Sequence, residues 1–278
     1  MKDIIAKLLK IDRRIIFLLT SLAILIPIVF YIQMPGLQVT ESTKSVYNAL
    51  DSLPEGSTLL MSFDFDPSTK PELYPMADVM CRHAFKKNIK VLAMAFTAPG
   101  VAIAEDLITK DAVEMHKEYG KDYVFLGYQP NYVSALTEFG NDFYSVYPTD
   151  SRGTNLQSLP VMQGIRTIKD IGLVMDYTAA SYLDAWVAYS SDRYGFKLGA
   201  GTTAVNEPSC LPYVQSHQIV GLLGALRGGA EYESLLHYNG LATKGMASVS
   251  MGHFLILALI ILANLMVLAQ KFMKEEEK

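Results

Sequence analysis

Two long stretches without a single charged residue, one near each end, restrict this 278-residue chain more than any other feature: residues 15–32 and residues 254–269 contain no Asp, Glu, Lys or Arg. The first is 18 residues long and stays uncharged as far as Pro35, and about 20 apolar helical residues cross a hydrocarbon core of about 30 Å. The second counts 16 residues, but the mostly small, uncharged stretch 245–250 ahead of it lets a span begin there and end before Lys271. The pattern predicts transmembrane helices over residues 15–34 and 245–270.

Basic residues beside a span stay on the cytoplasmic side during insertion. Lys2, Lys7, Lys10, Arg13 and Arg14 precede the first span, while only Lys44 follows it closely. Lys271, Lys274 and Lys278 follow the second. Both termini, residues 1–14 and 271–278, are therefore expected in the cytoplasm, as a two-pass cell-membrane protein whose main domain is extracytoplasmic. A cleaved signal peptide also has a basic start and an apolar run, but no small-x-small cleavage pattern follows Tyr31 and Ile32. Asn264 lies at mid-membrane depth, where an amide usually faces another helix.

Residues 35–244 remain as one external domain, of a size for a single hydrophobic core. Between the spans stand 16 Lys and Arg against 23 Asp and Glu, a formal charge of −7. Such an acidic domain makes a poor nucleic-acid binder and does not lie flat on anionic lipid. The two cysteines, Cys81 and Cys210, read either as a disulfide or as two buried thiols.

Within the domain, short apolar runs alternate with helical patterns. Residues 57–63, 90–96, 122–126, 171–175 and 194–198 read as strands; 71–87, 101–119, 132–139 and 183–192 read as helices; and 33–48 reads as a connector. Continuous apolar strands separated by helices indicate a mostly parallel sheet covered on both faces. The expected fold is a three-layer α/β domain, loosely Rossmann-like, flanked by two transmembrane helices.

Ligands of such sheets bind beyond the carboxyl ends of the strands. The strand ends offer Asp64 and Asp66, then Asp176, then Thr202 and Thr203, an oxygen-rich set that suits a divalent cation. The same residues also cap helices and shape turns. Arg152, in the loop 150–154, has the fork geometry to hold a carboxylate or phosphate. Gly199 to Thr203 reads as a tight turn, because the G-x-G-x-x-G and G-x-x-x-x-G-K-[ST] spacings are both missing. No G-x-S-x-G, H-E-x-x-H or C-x-x-C motif supports a catalytic residue or a named cofactor.

Residues 216–236 have helical periodicity, with Arg227 and Glu231 spaced to pair, yet include Gly221, Gly224, Gly228 and Gly229 beside Ala225. Small residues along one side admit a close backbone, either the domain's own sheet or another subunit. The sequence thus favours a non-catalytic accessory or scaffold subunit, assembling with itself or with other membrane proteins through these glycines and Asn264. The alternative is a membrane-anchored enzyme or ligand-binding module using the crevice.

Overall fold

The computed structural model describes residues 12–30 and 37–275. The N-terminal segment 1–11, the junction 31–36 between the first expected span and the domain, and the tail residues 276–278 lie outside the described residues. The chain divides into two units, Met1–Gly36 with Thr243–Lys278, and Leu37–Ala242.

The larger unit is built on six parallel strands: β1 (Thr58–Asp64), β2 (Lys90–Ala95), β3 (Tyr123–Tyr128), β4 (Leu173–Thr178), β5 (Leu198–Thr202) and β6 (Leu222–Gly224). Their order across the sheet is β3-β2-β1-β4-β5-β6, and every neighbouring pair is parallel. Nearly every strand residue is buried, which explains the unbroken apolar runs: both faces are covered. On one face lie α2 (Glu41–Asp51), α3 (Lys70–Lys86), α4 (Ala98–Glu114) and α10 (Ala225–Leu235). On the other lie α5 (Tyr132–Glu138), α6 (Phe143–Val146), α7 (Tyr182–Trp186) and α9 (Glu207–Gln215). Right-handed crossovers produce this division. The chain first winds outward from β1 to β3, then returns to β4 and winds the other way, so its helices change face at that reversal.

Several boundaries differ from the sequence reading. The expected connector contains α2, whose N-cap Thr40 accepts from the Thr43 N–H. The fifth strand is residues 198–202 instead of 194–198; Gly199 to Thr202 are strand, not a turn, because Gly199 and Gly201 lie against Met175 and Tyr177 of β4 and leave no room for side chains. The helix expected over 183–192 is α7, then a π-helical turn (Val187–Ser191), then the short α8 (Asp192–Tyr194). The helix expected over 216–236 divides into β6 and α10, so Gly221 and Gly224 are outside it.

The open edge of β6 is closed by a side chain: the Ser42 hydroxyl accepts from the Leu222 N–H at 2.7 Å and donates to the Leu222 carbonyl at 3.0 Å. This blunts an edge that would otherwise pair with another strand. Beside it, buried Glu231 on α10 accepts from the Thr40 N–H (3.0 Å), the Thr40 and Thr43 hydroxyls (2.7 and 2.8 Å) and Arg227 Nε (2.7 Å). Arg227 and Glu231 pair as their spacing predicted. Glu231→Gln keeps the shape but removes the charge from these bonds, and chemical denaturation should show a loss of about 1–2 kcal/mol. An unchanged midpoint would mean that α2 is held without this carboxylate.

In the smaller unit, α1 (Arg13–Val29) has 17 described helical residues, about 25 Å at 1.5 Å per residue. Ile24 of α1 stands 3.9 Å from where a Cβ on Gly252 would be. Gly252 belongs to α11 (Leu241–Glu275), of which Leu241–Lys271 is long and apolar enough to cross a bilayer.

Candidate functional site: a buried carboxyl pair at the sheet reversal

In a parallel sheet, residues in register share a face, and so do residues two apart on one strand. Ser62 pairs with Asp176, Asp64 with Thr178, and Thr178 with Thr202. Asp64, Asp176 and Thr202 therefore share a face, at the carboxyl ends of β1, β4 and β5. The reversal of strand order falls between β1 and β4, the place where open α/β sheets form their ligand crevice.

Asp64 and Asp176 are both fully buried, and each carboxyl group lies within the electrostatic reach of the other. Asp64 also accepts from the Ser62 hydroxyl at 2.5 Å and from the Phe96 N–H at 2.5 Å. Burial pushes its pKa up to about 6 in spite of these donors. Burial, followed by repulsion from Asp64, raises Asp176 well above the usual carboxylate range. The donors favour the ionised form of Asp64, whereas Asp176, with none, holds its proton more tightly. Neither Asp176 oxygen has a hydrogen-bond partner among the described residues.

Asp176 is not alone in this. On the same side of the sheet, Tyr147 Oη, Trp186 Nε1, Ser190 Oγ and Thr202 Oγ1 are buried and also lack a protein partner. Trp186 closes α7 and Ser190 lies in the π-helical turn that follows, a local form often found at functional sites. Buried polar groups are normally satisfied by protein, ordered water or ligand. Such a concentration marks a place where something polar belongs.

Aromatic rings cluster beside Asp64, whose carboxylate accepts from the Phe96 N–H. Phe96 follows β2, Tyr132 opens α5 and Tyr182 opens α7. Their ring centroids are 6.0 Å (Phe96–Tyr132), 6.0 Å (Phe96–Tyr182) and 5.4 Å (Tyr132–Tyr182) apart. Tyr128, the last residue of β3, is 47% exposed and Tyr132 is 37% exposed, so the cluster reaches the surface. Burial, then the negative field of Asp64, raises the Tyr182 phenol.

Of the residues expected at the crevice, Asp64, Asp176 and Thr202 come together. Asp66 does not: β1 ends at Asp64, and exposed Asp66 turns back to accept from the Ser68 N–H and hydroxyl. Thr203 lies beyond β5, and its carbonyl accepts from the Asn206 and Glu207 N–H groups. Arg152 is in a loop whose Ser151 N–H bonds the Phe125 carbonyl of β3, two strands from β1, and its guanidinium sits 3.5 Å from the Tyr119 ring centroid. Tyr132, Tyr147, Tyr182 and Trp186 carried no motif in the sequence. Only Tyr128, at the end of a strand, could be found from position alone.

The small residues expected at an interface are used inside the domain. A Cβ on Gly221 would meet the Ser42 carbonyl, on Gly224 the Glu207 carboxylate, on Gly228 the Leu223 backbone, and on Gly229 Ala242 and Met76. Ala225 has a φ of 50° at the start of α10. Asn264 donates to the Ile260 carbonyl one turn back in its own helix. Cys81 and Cys210 are free thiols, buried on opposite faces of the sheet.

Among the described residues, no group of three or more His, Cys, Asp and Glu is placed to share a metal ion. A separate cavity of about 250 Å³ lies against β6, lined by Glu207, Arg227 and Glu231. Its Glu231 is already saturated by four donors, so the carboxyl pair is the less satisfied of the two places. No protein-family model matches the chain, and no curated protein matches it in sequence.

Proposed function

We propose that this chain is a two-pass membrane protein, both termini cytoplasmic, whose extracytoplasmic α/β domain (residues 35–244) binds a small ligand in the crevice above Asp64 and Asp176. The observation that carries the reading is the pair itself. Two adjacent buried acids, one of them without a hydrogen-bond partner, cost stability, and apolar residues of similar volume would fold at least as well. A costly acid pair at the sheet reversal, beside unpartnered hydroxyls, is what a binding or catalytic site requires. No nucleophile or motif assigns it a reaction, so binding is the reading adopted.

The membrane placement draws on the apolar segment Leu241–Lys271, on the uncharged run 15–32 and on the distribution of Lys and Arg. Large apolar side chains along both terminal helices, from Ile15 to Val29 and from Phe254 to Leu268, are exposed in the chain alone. Lipid would cover them. The other reading, an accessory or scaffold subunit, draws on the double anchor, the short tether and the lack of a catalytic motif as well as on the glycines and Asn264; we prefer the crevice because the glycines and Asn264 have contacts within the chain.

A diazo ester tests the crevice, because such reagents esterify protonated carboxyl groups and spare ionised ones. At neutral pH, peptide mass spectrometry of the detergent-solubilised chain should find the ester on Asp176 or Asp64 and not on exposed acids such as Asp66. A pair that stays unlabelled while the protein is folded would be sealed, and the crevice reading would fall.

A further inference from the structure

We infer that the crevice takes a primary organic ammonium group, seated against the carboxyls of Asp64 and Asp176 and walled by the rings of Phe96, Tyr132 and Tyr182. The inference rests on the crevice reading above and adds the chemical class of the ligand.

The first argument is the sign of the surrounding charge. Asp64 and Asp176 are buried side by side, and among the described residues no Lys or Arg forms an ion pair with Asp64, Asp176 or Asp184. Dinucleotide-binding sheets place a pyrophosphate at this point, but here an anion would meet a buried carboxylate with no cation to offset it. A cation gains where an anion loses.

The second argument separates an organic cation from a metal ion. Hard divalent cations take six or more oxygens. Among the described residues no group of three or more His, Cys, Asp and Glu is placed to share a metal ion, and the Thr178 hydroxyl is used within its own turn, donating to the Ala180 carbonyl and accepting from the Ala180 N–H. The wall beside the pair is largely aromatic, formed by Phe96, Tyr132 and Tyr182. Aromatic faces attract ammonium groups and cover their alkyl substituents.

The third argument is hydrogen-bond matching. A primary ammonium offers three donors. The pair offers the ionised Asp64 and the unpartnered oxygens of Asp176, and the unpartnered, fully buried Thr202 hydroxyl lines the same wall. An amino acid would bring a carboxylate with nothing basic to receive it, so the class is an amine without a neighbouring acid group.

The chain carries its own reporter, since its single tryptophan is Trp186, with its ring centroid 5.8 Å from that of Phe96. The full chain in detergent is titrated with n-butylammonium chloride, and separately with magnesium chloride, glycerol and sodium phosphate at matched ionic strength, while Trp186 emission is followed. Butylammonium is expected to give a saturable change that the other three do not. Asp64→Asn should weaken it about tenfold or more through loss of a charge-assisted bond. Tyr182→Leu, at a partly exposed position where folding is less at risk, should weaken it about threefold or more.

No saturable response to butylammonium, or one that survives both substitutions, overturns the inference. So does an equal response to magnesium, which would make this a metal site. If the pair is esterified by the diazo reagent while butylammonium has no effect, the crevice stands and only its ligand class falls. If the pair is not esterified, both fall together.

Discussion

Replacing Asp176 by Asn is expected to make the domain progressively more stable than the wild type as pH rises above about 4. The Asp64 pKa moves from 3.8 to about 6 on folding, and that of Asp176 moves up further, in both cases chiefly through burial. A raised acid pKa means that the folded state binds protons more tightly than the unfolded state. Folding therefore loses stability as pH increases from the unfolded value through the folded one. For Asp64 alone the shift of about two pH units corresponds to a loss on the order of 3 kcal/mol, spread between about pH 4 and 6. Asp176 adds a loss in the same direction. An amide at position 176 has no proton to lose, so that part of the slope disappears. Equilibrium unfolding of both proteins at a series of pH values measures the difference directly. Comparing them cancels the other titrating groups, including Asp111, which burial raises to about 7, and His83, which burial lowers. Parallel stability curves for the two proteins would show that folding does not raise the pKa of Asp176.

Trp186→Ala should cost about 3–5 kcal/mol, the range for emptying a large aromatic site in a core. Trp186 is fully buried, lies nearly parallel to Phe139 at 6.1 Å, and contacts Phe96 at 5.8 Å and Phe196 at 6.2 Å. Its loss reaches the candidate site by a short path, since Phe96 is the residue whose backbone N–H holds Asp64. Denaturant unfolding followed by circular dichroism gives the magnitude. Trp186→Phe should lose much less, because it keeps most of the ring area and discards an indole N–H that has no protein partner. If the Phe variant were as unstable as the Ala variant, the indole nitrogen would be bonded to something essential, and an internal water or ligand at that position would be the first candidate.

These two residues differ in how they could be found. Asp176 ends a run of apolar residues, and an acid at the end of a buried strand is conspicuous in the sequence. Trp186 follows Asp184 and Ala185 in a stretch with helical periodicity, where an aromatic residue reads as ordinary core. Its place beside the crevice depends on a π-helical turn that no local pattern announces. Gly199 and Gly201 misled for a related reason. Glycine is a weak strand former, yet here the large side chains Met175 and Tyr177 on β4 require that their neighbours in β5 have none. The glycines at 221, 224, 228 and 229 read as one helical stripe facing either the domain's own sheet or another subunit, whereas their neighbours are Ser42, Glu207, Leu223, Met76 and Ala242, from five separate parts of the chain.

By itself the sequence determined the class of the fold and the parallel sheet, because continuous apolar strands separated by helices leave few other arrangements that bury both faces. It also determined the apolar segment near the C-terminus and the acidic character of the domain. The tertiary structure alone decided that Asp64 and Asp176 meet and that Asp66 turns away. Contact between residues more than a hundred positions apart is set by strand order and register, and these come from packing of the whole sheet. No periodicity within either strand contains that information, so the carboxyl pair becomes visible only once β1 and β4 are side by side.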